Sequence, residues 1–308
     1  MAVNFSQYAL RAPKDKLAGI VMLFTANSAF MRLLTFEETT EFVKEYDQQA
    51  SSGGIAFRSI NQQYTADQGV VNPKVEQLRV FGGTVETDRQ LAKGPRGRAT
   101  RANNIAMKVK KAGQFFDRAV IKGNPATNPK EFIGLEQRLI NAQVVSAGEN
   151  GAQLTLAMLD DLLDAVIGSN GGKVLLMNKR LRTKVKRLVL ASAGGAAVAE
   201  FKNGEIESYN GARIEVIDGE DREVSCLEFD EPQGTDNNTA SIYCVRPGSM
   251  DGEYMRGLVR QPDGSEPIDY VDYGERAGTY QELIEMAGGI ALYHPRTAAR
   301  LKGVKIPT

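Results

Sequence analysis

The sequence predicts an α+β fold, and three observations carry that prediction. Residues 93–124 place Ile105, Val109, Ala112, Phe116 and Val120 at intervals of three and four, the spacing of one helix face. Residues 53–88 instead alternate in places, with Ile55 and Phe57, then Val75, Leu78, Val80 and Val85, as strands with one covered face do. Residues 200–250 hold the strand-like runs GARIEVID, SCLEFDE and ASIYCVRPG, separated by turn signals. Helical and strand-like stretches in this arrangement form packed layers. A chain of 308 residues can bury one large core or two ordinary ones.

Residues 1–50 combine the apolar run LAGIVMLF (17–24) with the polar TFEETTEFVKEYDQQ, which reads as an arm that must lie on something. The 53–88 hairpin follows, with residues 69–73 as its turn. It has little to bury, since Arg58, Asn61, Gln62, Gln63, Gln77 and Arg79 make a poor core. An isolated two-stranded ribbon is only marginally stable, so the rest of this chain or another copy has to cover it. The helix of residues 93–124 stops at GNPATNP. From Thr155, an N-cap, the run TLAMLDDLLDAVIGSNGG reads as a helix with Gly168 past its end. KVLLMN is a strand, and NKRLRTKVKRLVLASAGG a second helix with Leu181, Val185 and Leu188 inward. The chain ends in EMAGGIALYHPRTAARLKGVKI, an apolar strand closed by His294 and Pro295 before a short basic tail.

Composition narrows the chemistry. The formal net charge is zero, so nothing global points to nucleic acid or membrane. LAGIVMLF is far shorter than the ~20 residues of a membrane span. Two cysteines, Cys226 and Cys244, make no disulfide framework and read as small buried hydrophobes in a reducing compartment. The single histidine, His294, sits in no nucleophile motif. GSNGGK (168–173) lacks the spacing and the Ser or Thr of a phosphate-binding loop. Asp160 and Asp164 share a helix face and are the one candidate pair for a divalent ion, although a solvated face is the simpler reading. No catalytic, cofactor or metal residue is therefore assigned. Charge is uneven along the chain: residues 93–122 hold nine basic residues against Asp117, and residues 215–231 hold eight acidic residues against Arg222. Lys and Arg along one helix can approach a polyphosphate without reading its sequence.

The order of these segments resembles the major capsid proteins of tailed bacteriophages, the HK97-like family. The resemblance covers nearly the whole chain and rests on order and local pattern. NSAFMRLLTFEETTEFVKEY is similar to the family's N-terminal arm, and FDRAVIKGNPATNPKEFIGL to its spine helix and following turn. LDDLLDAVIGSNGGKVLLMNKRLRTKVKRL is similar to the entry of its axial domain, and YNGARIEVID, SIYCVRPGS and GGIALYHPRTAARLKGV to its later strands. The resemblance implies an arm (1–50), an extended loop (51–92), the first part of a peripheral domain with the spine helix (93–153), an axial domain (154–247) and strands returning to the peripheral domain (248–308). It also implies that the extended loop lies across a neighbouring subunit, with Phe57, Arg58, Tyr64, Val75, Leu78 and Val80 in contact. Arg101, Lys108, Lys111, Arg118 and Lys122 of the spine helix would face DNA.

The function so implied is structural and not enzymatic: a subunit of pentamers and hexamers in an icosahedral shell around double-stranded DNA, located in the virion and assembled in the host bacterial cytoplasm. The arm begins within about twenty residues of Met1, so either scaffolding is a separate protein or the chain is numbered after processing; a separate scaffolding protein and a portal are the partners the resemblance implies. Lys74, the only lysine between residues 51 and 92, has no identifiable Asn and Glu partners, so no autocatalytic cross-link is expected. An encapsulin-like compartment enclosing enzyme cargo keeps the fold and changes the contents. A two-domain metal-dependent enzyme using Asp160 and Asp164 would leave the hairpin unexplained, and zero net charge argues against a monomeric nucleic-acid binder using residues 93–122.

Overall fold

The computed structural model describes residues 2–5, 15–51, 53–192, 199–218, 225–248, 254–262 and 266–307. Residues 6–14 of the expected arm and residues 219–224 of the acidic stretch lie outside them. The first strands are β1 (Ala2–Val3), β2 (Phe36–Thr39), β3 (Val43–Ser51), β4 (Val70–Gln77) and β5 (Arg79–Asp88). The middle of the chain supplies β6 (Val144–Ser146), β7 (Val174–Asn178), β8 (Ala199–Lys202), β9 (Glu205–Tyr209), β10 (Ala212–Asp218) and β11 (Glu231–Gln233). The remainder holds β12 (Asp236–Val245), β13 (Met255–Arg260), β14 (Asp269–Arg276), β15 (Thr279–Leu292) and β16 (Ala298–Lys305).

The amphipathic run expected near residues 105–120 is a 26-residue helix, Gly97–Lys122, referred to below as the long helix. Its stripe of Val109, Phe116, Ala119 and Val120 is buried against a six-stranded sheet ordered β1-β2-β13-β15-β14, with β5 on β15. The run expected to be an arm is a second helix, Asp15–Asn27. It buries Leu17, Ile20, Val21 and Phe24 in the same core, so this part of the expected arm is covered by its own chain. The two helices approach closely at Gly113, where a Cβ would stand 3.3 Å from the Phe24 carbonyl oxygen. Asp117, the lone acid of the basic stretch, is buried at the start of the short helix Ala29–Leu33. It accepts hydrogen bonds from the Ser28 hydroxyl (2.6 Å) and the Ala29 and Phe30 amides (3.1 and 3.2 Å).

An eight-stranded sheet, β6-β16-β12-β7-β10-β9-β8 with β11 on β12, separates two cores. β7 is buried along its whole length because alternate residues serve different sides. Val174 and Leu176 join the core under the long helix. Leu175 and Met177 pack beneath the helices Leu156–Ala165 and Lys179–Ala191. These helices begin where the sequence places them: the Thr155 side chain accepts from the Met158 amide and that of Asn178 from the Leu181 amide. The linear division of the chain is less clean than expected. β16, placed with strands returning to the peripheral unit, lies between β6 and β12 in this second sheet. β5, placed in the extended loop, belongs to the first sheet along its full length.

The projecting hairpin and the basic helix

The hairpin is real, but its strands differ from those expected. β3 pairs antiparallel with β4, from Val43 opposite Gln77 to Ser51 opposite Val70. Residues 43–50, expected in the arm, form the first strand together with Ser51. Residues 69–73, expected as the turn, mostly form β4, and the turn is the long tip of residues 53–69. EFVKEYDQQ carries no apolar alternation to mark β3, because the residues it turns to the body, Lys44, Tyr46 and Gln48, are held there by polar contacts.

The base of this ribbon is clamped to the body. Glu76 is buried, and both of its carboxylate oxygens accept from the Arg138 guanidinium. Arg138 Nε also donates to the Ile133 carbonyl at 2.7 Å. Tyr46 and Gln48 donate from β3 to the Leu292 carbonyl at 3.1 and 3.0 Å, and the Tyr46 ring packs on Tyr293 with centroids 4.7 Å apart. Glu37 completes the clamp, holding Lys44 of β3 at 2.6 Å and accepting from the Tyr293 hydroxyl. Burial alone would raise the Glu37 carboxyl, but hydrogen bonds from Lys44 and Tyr293 and the charges of Lys44 and Arg256 hold it below the usual range.

The tip is bare. Ile55, Phe57 and Ile60 are 101%, 107% and 92% exposed, and Tyr64, Val70, Val71 and Val75 are more than half exposed. Of the six residues expected to meet a neighbour, Phe57, Arg58, Tyr64, Val75 and Val80 are exposed. Val80 lies on β5, outside the ribbon. Leu78 is corrected: it is 2% exposed and packs with Leu258 and Ala291 of its own chain, so it presents nothing to a second copy.

The long helix also differs from expectation. Arg101 Nε donates to buried Glu282 at 2.8 Å, its guanidinium reaches Asp272 at 3.1 Å, and it stacks over Tyr280. Arg118 pairs with Glu131 at 3.4 Å and Lys122 with Asp230 at 3.0 Å. These three cations neutralise carboxylates of their own chain, which sequence spacing could not show because the partners lie 13 to 181 residues away. Lys108 lies across β5, where a Cβ at Gly83 would be 2.8 Å from its Cε. Lys111 is exposed.

Reactive side chains are occupied or buried. Burial pushes the Cys244 thiol up to about 12, against a smaller lowering by Lys173. His294 Nδ1 accepts from the Arg296 amide at 3.1 Å and so caps a turn. Asp160 accepts from the Tyr209 hydroxyl at 3.0 Å. Among the described residues no group of three or more His, Cys, Asp or Glu side chains is placed to share a metal ion. No described helix is long and apolar enough to cross a membrane.

No protein-family model and no curated protein matches the chain. Solved structures do. The chain is similar to the SrpI encapsulin of Synechococcus elongatus in its holo complex, at 15% identity over 90% of this chain and 87% of that one, with a TM-score of 0.62. It is similar to the capsid of a native GTA particle, at 12% identity over 90% of both chains and a TM-score of 0.66. Mycobacterium phage Bobi gives 12% identity over 91% and 90%, with a TM-score of 0.57. At these identities the likeness is one of fold: the chain has the α+β, HK97-like fold of capsid and encapsulin shells, as its sequence led us to expect.

Proposed function

We propose that the chain is the major capsid subunit of a tailed bacteriophage, assembling as pentamers and hexamers into an icosahedral shell around double-stranded DNA. The bare apolar tip on a clamped ribbon carries this reading. Burying an Ile or Phe side chain is worth about 1.5–3 kcal/mol, and Ile55, Phe57 and Ile60 forgo nearly all of it in the isolated subunit. A second copy offers the same cover to every subunit, and a contact between unlike surfaces closes into rings. The likeness in fold to shell proteins supports the reading. A scaffolding protein, a portal and assembly in the host cytoplasm belong to the same proposal.

The internal pairing of Arg101, Arg118 and Lys122 favours one second reading, an encapsulin-like compartment, because the helix presents less free positive charge than its sequence implies. Negative-stain microscopy of the purified protein, with and without residues 55–66, tests the shell. This deletion spares both strands and the bond from the Gly54 amide to Asp67. Closed particles from the full chain and folded, unassembled subunits from the deletion are expected. Normal particles from the deletion would overturn the role given to the tip. Nucleic acid inside the particles marks a capsid, and its absence after expression with scaffold and packaging machinery marks a compartment.

A further inference from the structure

A second unsatisfied surface lies away from the hairpin. β5 pairs with β15 on one side only, and among the described residues no strand covers its other edge over ten residues. A long open edge is a template for another strand. Beside it lies a cleft of about 470 Å³ lined by five consecutive residues, 79–83, with the long helix and residues 128–132 opposite. Successive strand residues point to opposite faces, so a cleft touching all five runs along the strand's edge. At Gly82 and Gly83 the backbone of β15 and the Lys108 side chain occupy the place a Cβ would take, and Ile284 and Glu285 of β15 also line the cleft.

The lining has a definite chemistry. Its floor is aromatic: Phe81, Phe115 and Phe132 line it, with Phe81 6.4 Å from Phe115 and the buried Phe116 behind them, 5.5 Å from Phe81 and 6.1 Å from Phe132. Arg79, Lys108, Lys111 and Lys130 stand around it against Glu131 and Glu285. Glu131 is already held by Arg118, Asn128 and the Asn124 amide, and Arg79 Nε is buried without a hydrogen-bond partner. The cleft therefore calls for an apolar group with carboxylates beside it. The hairpin tip of a second copy does not match, since its only charges are Arg58 and Asp67, and Asp67 is bound to the Gly54 and Gln68 amides.

We propose that the β5 edge and the adjoining cleft bind an extended segment of a partner protein, which adds as a strand and sets an apolar side chain on the aromatic floor, with Asp or Glu two residues to either side on the same face of the added strand. Strand addition of this kind takes affinity from main-chain hydrogen bonds and specificity from alternate side-chain pockets. The inference does not depend on shell closure, because both surfaces belong to one chain.

The test uses a fluorescent peptide of repeating Phe-Thr-Glu-Thr, which puts Phe and Glu on one face of a strand, its Phe-Thr-Lys-Thr counterpart, and two versions of the acidic peptide N-methylated at odd or at even residues. Anisotropy is read on the purified full chain in the assembly state shown by gel filtration. The acidic peptide is expected to bind and the basic one not. One N-methylated set abolishes binding while the other leaves it intact, because only alternate amides face the edge. Lys108→Glu and Lys130→Glu each weaken binding roughly five- to ten-fold. Equal binding of acidic and basic peptides, or of both N-methylated sets, would overturn the proposal. So would capture of oligo(dT) in place of peptide, or binding by dissociated subunits but not by shells, which would show that a second copy fills the edge.

Discussion

Glu76 and Arg138 show how single side chains set the direction of the hairpin. Each side chain is about a tenth exposed, so removing one partner strands a charge in a poorly solvated place. Arg138→Met is expected to cost about 3 kcal/mol in urea unfolding, and to speed hydrogen exchange in β3 and β4 more than in the long helix. Uniform exchange across the chain would show that the pair stabilises without anchoring. Glu37 adds a pH dependence of known sign. Its folded-state value lies below the ordinary 4.5, so its contribution is complete above that value and is lost as pH falls through the lower one. Acid should therefore loosen the hairpin base, and Glu37→Gln should flatten that limb of the stability–pH curve. An unchanged acid limb would remove Glu37 from the clamp. Both residues were unremarked in the sequence, because a buried carboxylate and a surface one are the same letter until a partner from another segment arrives.

At the scale of elements, the long helix was legible and its surroundings were not. A buried stripe at spacings of three and four is local information, carried entirely by residues 105–120. That the stripe would receive the helix Asp15–Asn27, and not lie bare beneath a detached arm, depended on Gly113 and on Asp117. Asp117 satisfies amides at the start of the helix Ala29–Leu33, 87 to 89 residues earlier in the chain. Asp117→Ala leaves those donors buried and unpaired and is expected to lower stability by about 3 kcal/mol, with the N-terminal segment becoming sensitive to protease before the rest. A melt within 0.5 kcal/mol of the parent would mean that water replaces the carboxylate. β3 and β4 posed the opposite problem to the long helix. Held to the body by Lys44, Tyr46, Gln48 and Glu76 in place of an apolar face, they carry no clear hydrophobic period, and their pairing is visible only as hydrogen bonds.

The whole subunit is two cores on either side of one eight-stranded sheet, with a smaller sheet beneath the long helix and one ribbon reaching out. The sheet is shared because its central strands are apolar on both faces, so the two halves are expected to unfold together in a single transition. In the proposed shell the ribbon answers to a different equilibrium, that between copies of the chain. Phe57→Ser should leave the unfolding of the dissociated subunit unchanged, since the ring touches little of its own chain. The concentration needed for assembly should rise about ten-fold or more, the effect of losing the burial of one aromatic side chain. Light scattering against protein concentration measures it, and an unshifted threshold would place the subunit contact elsewhere.

By itself the sequence determined the α+β class, the long helix, the helix capped by Thr155, the helix of NKRLRTKVKRL, and the presence of a long hairpin with little of its own to bury. Each is written in the period or chemistry of a few neighbouring residues. The tertiary structure alone decided which strands make the ribbon, that Leu78 is spoken for, that Arg101, Arg118 and Lys122 answer carboxylates of their own chain, and that β5 keeps an open edge beside an aromatic cleft. Those depend on residues far apart in the chain meeting in space, and charge or exposure has no fixed meaning until they do.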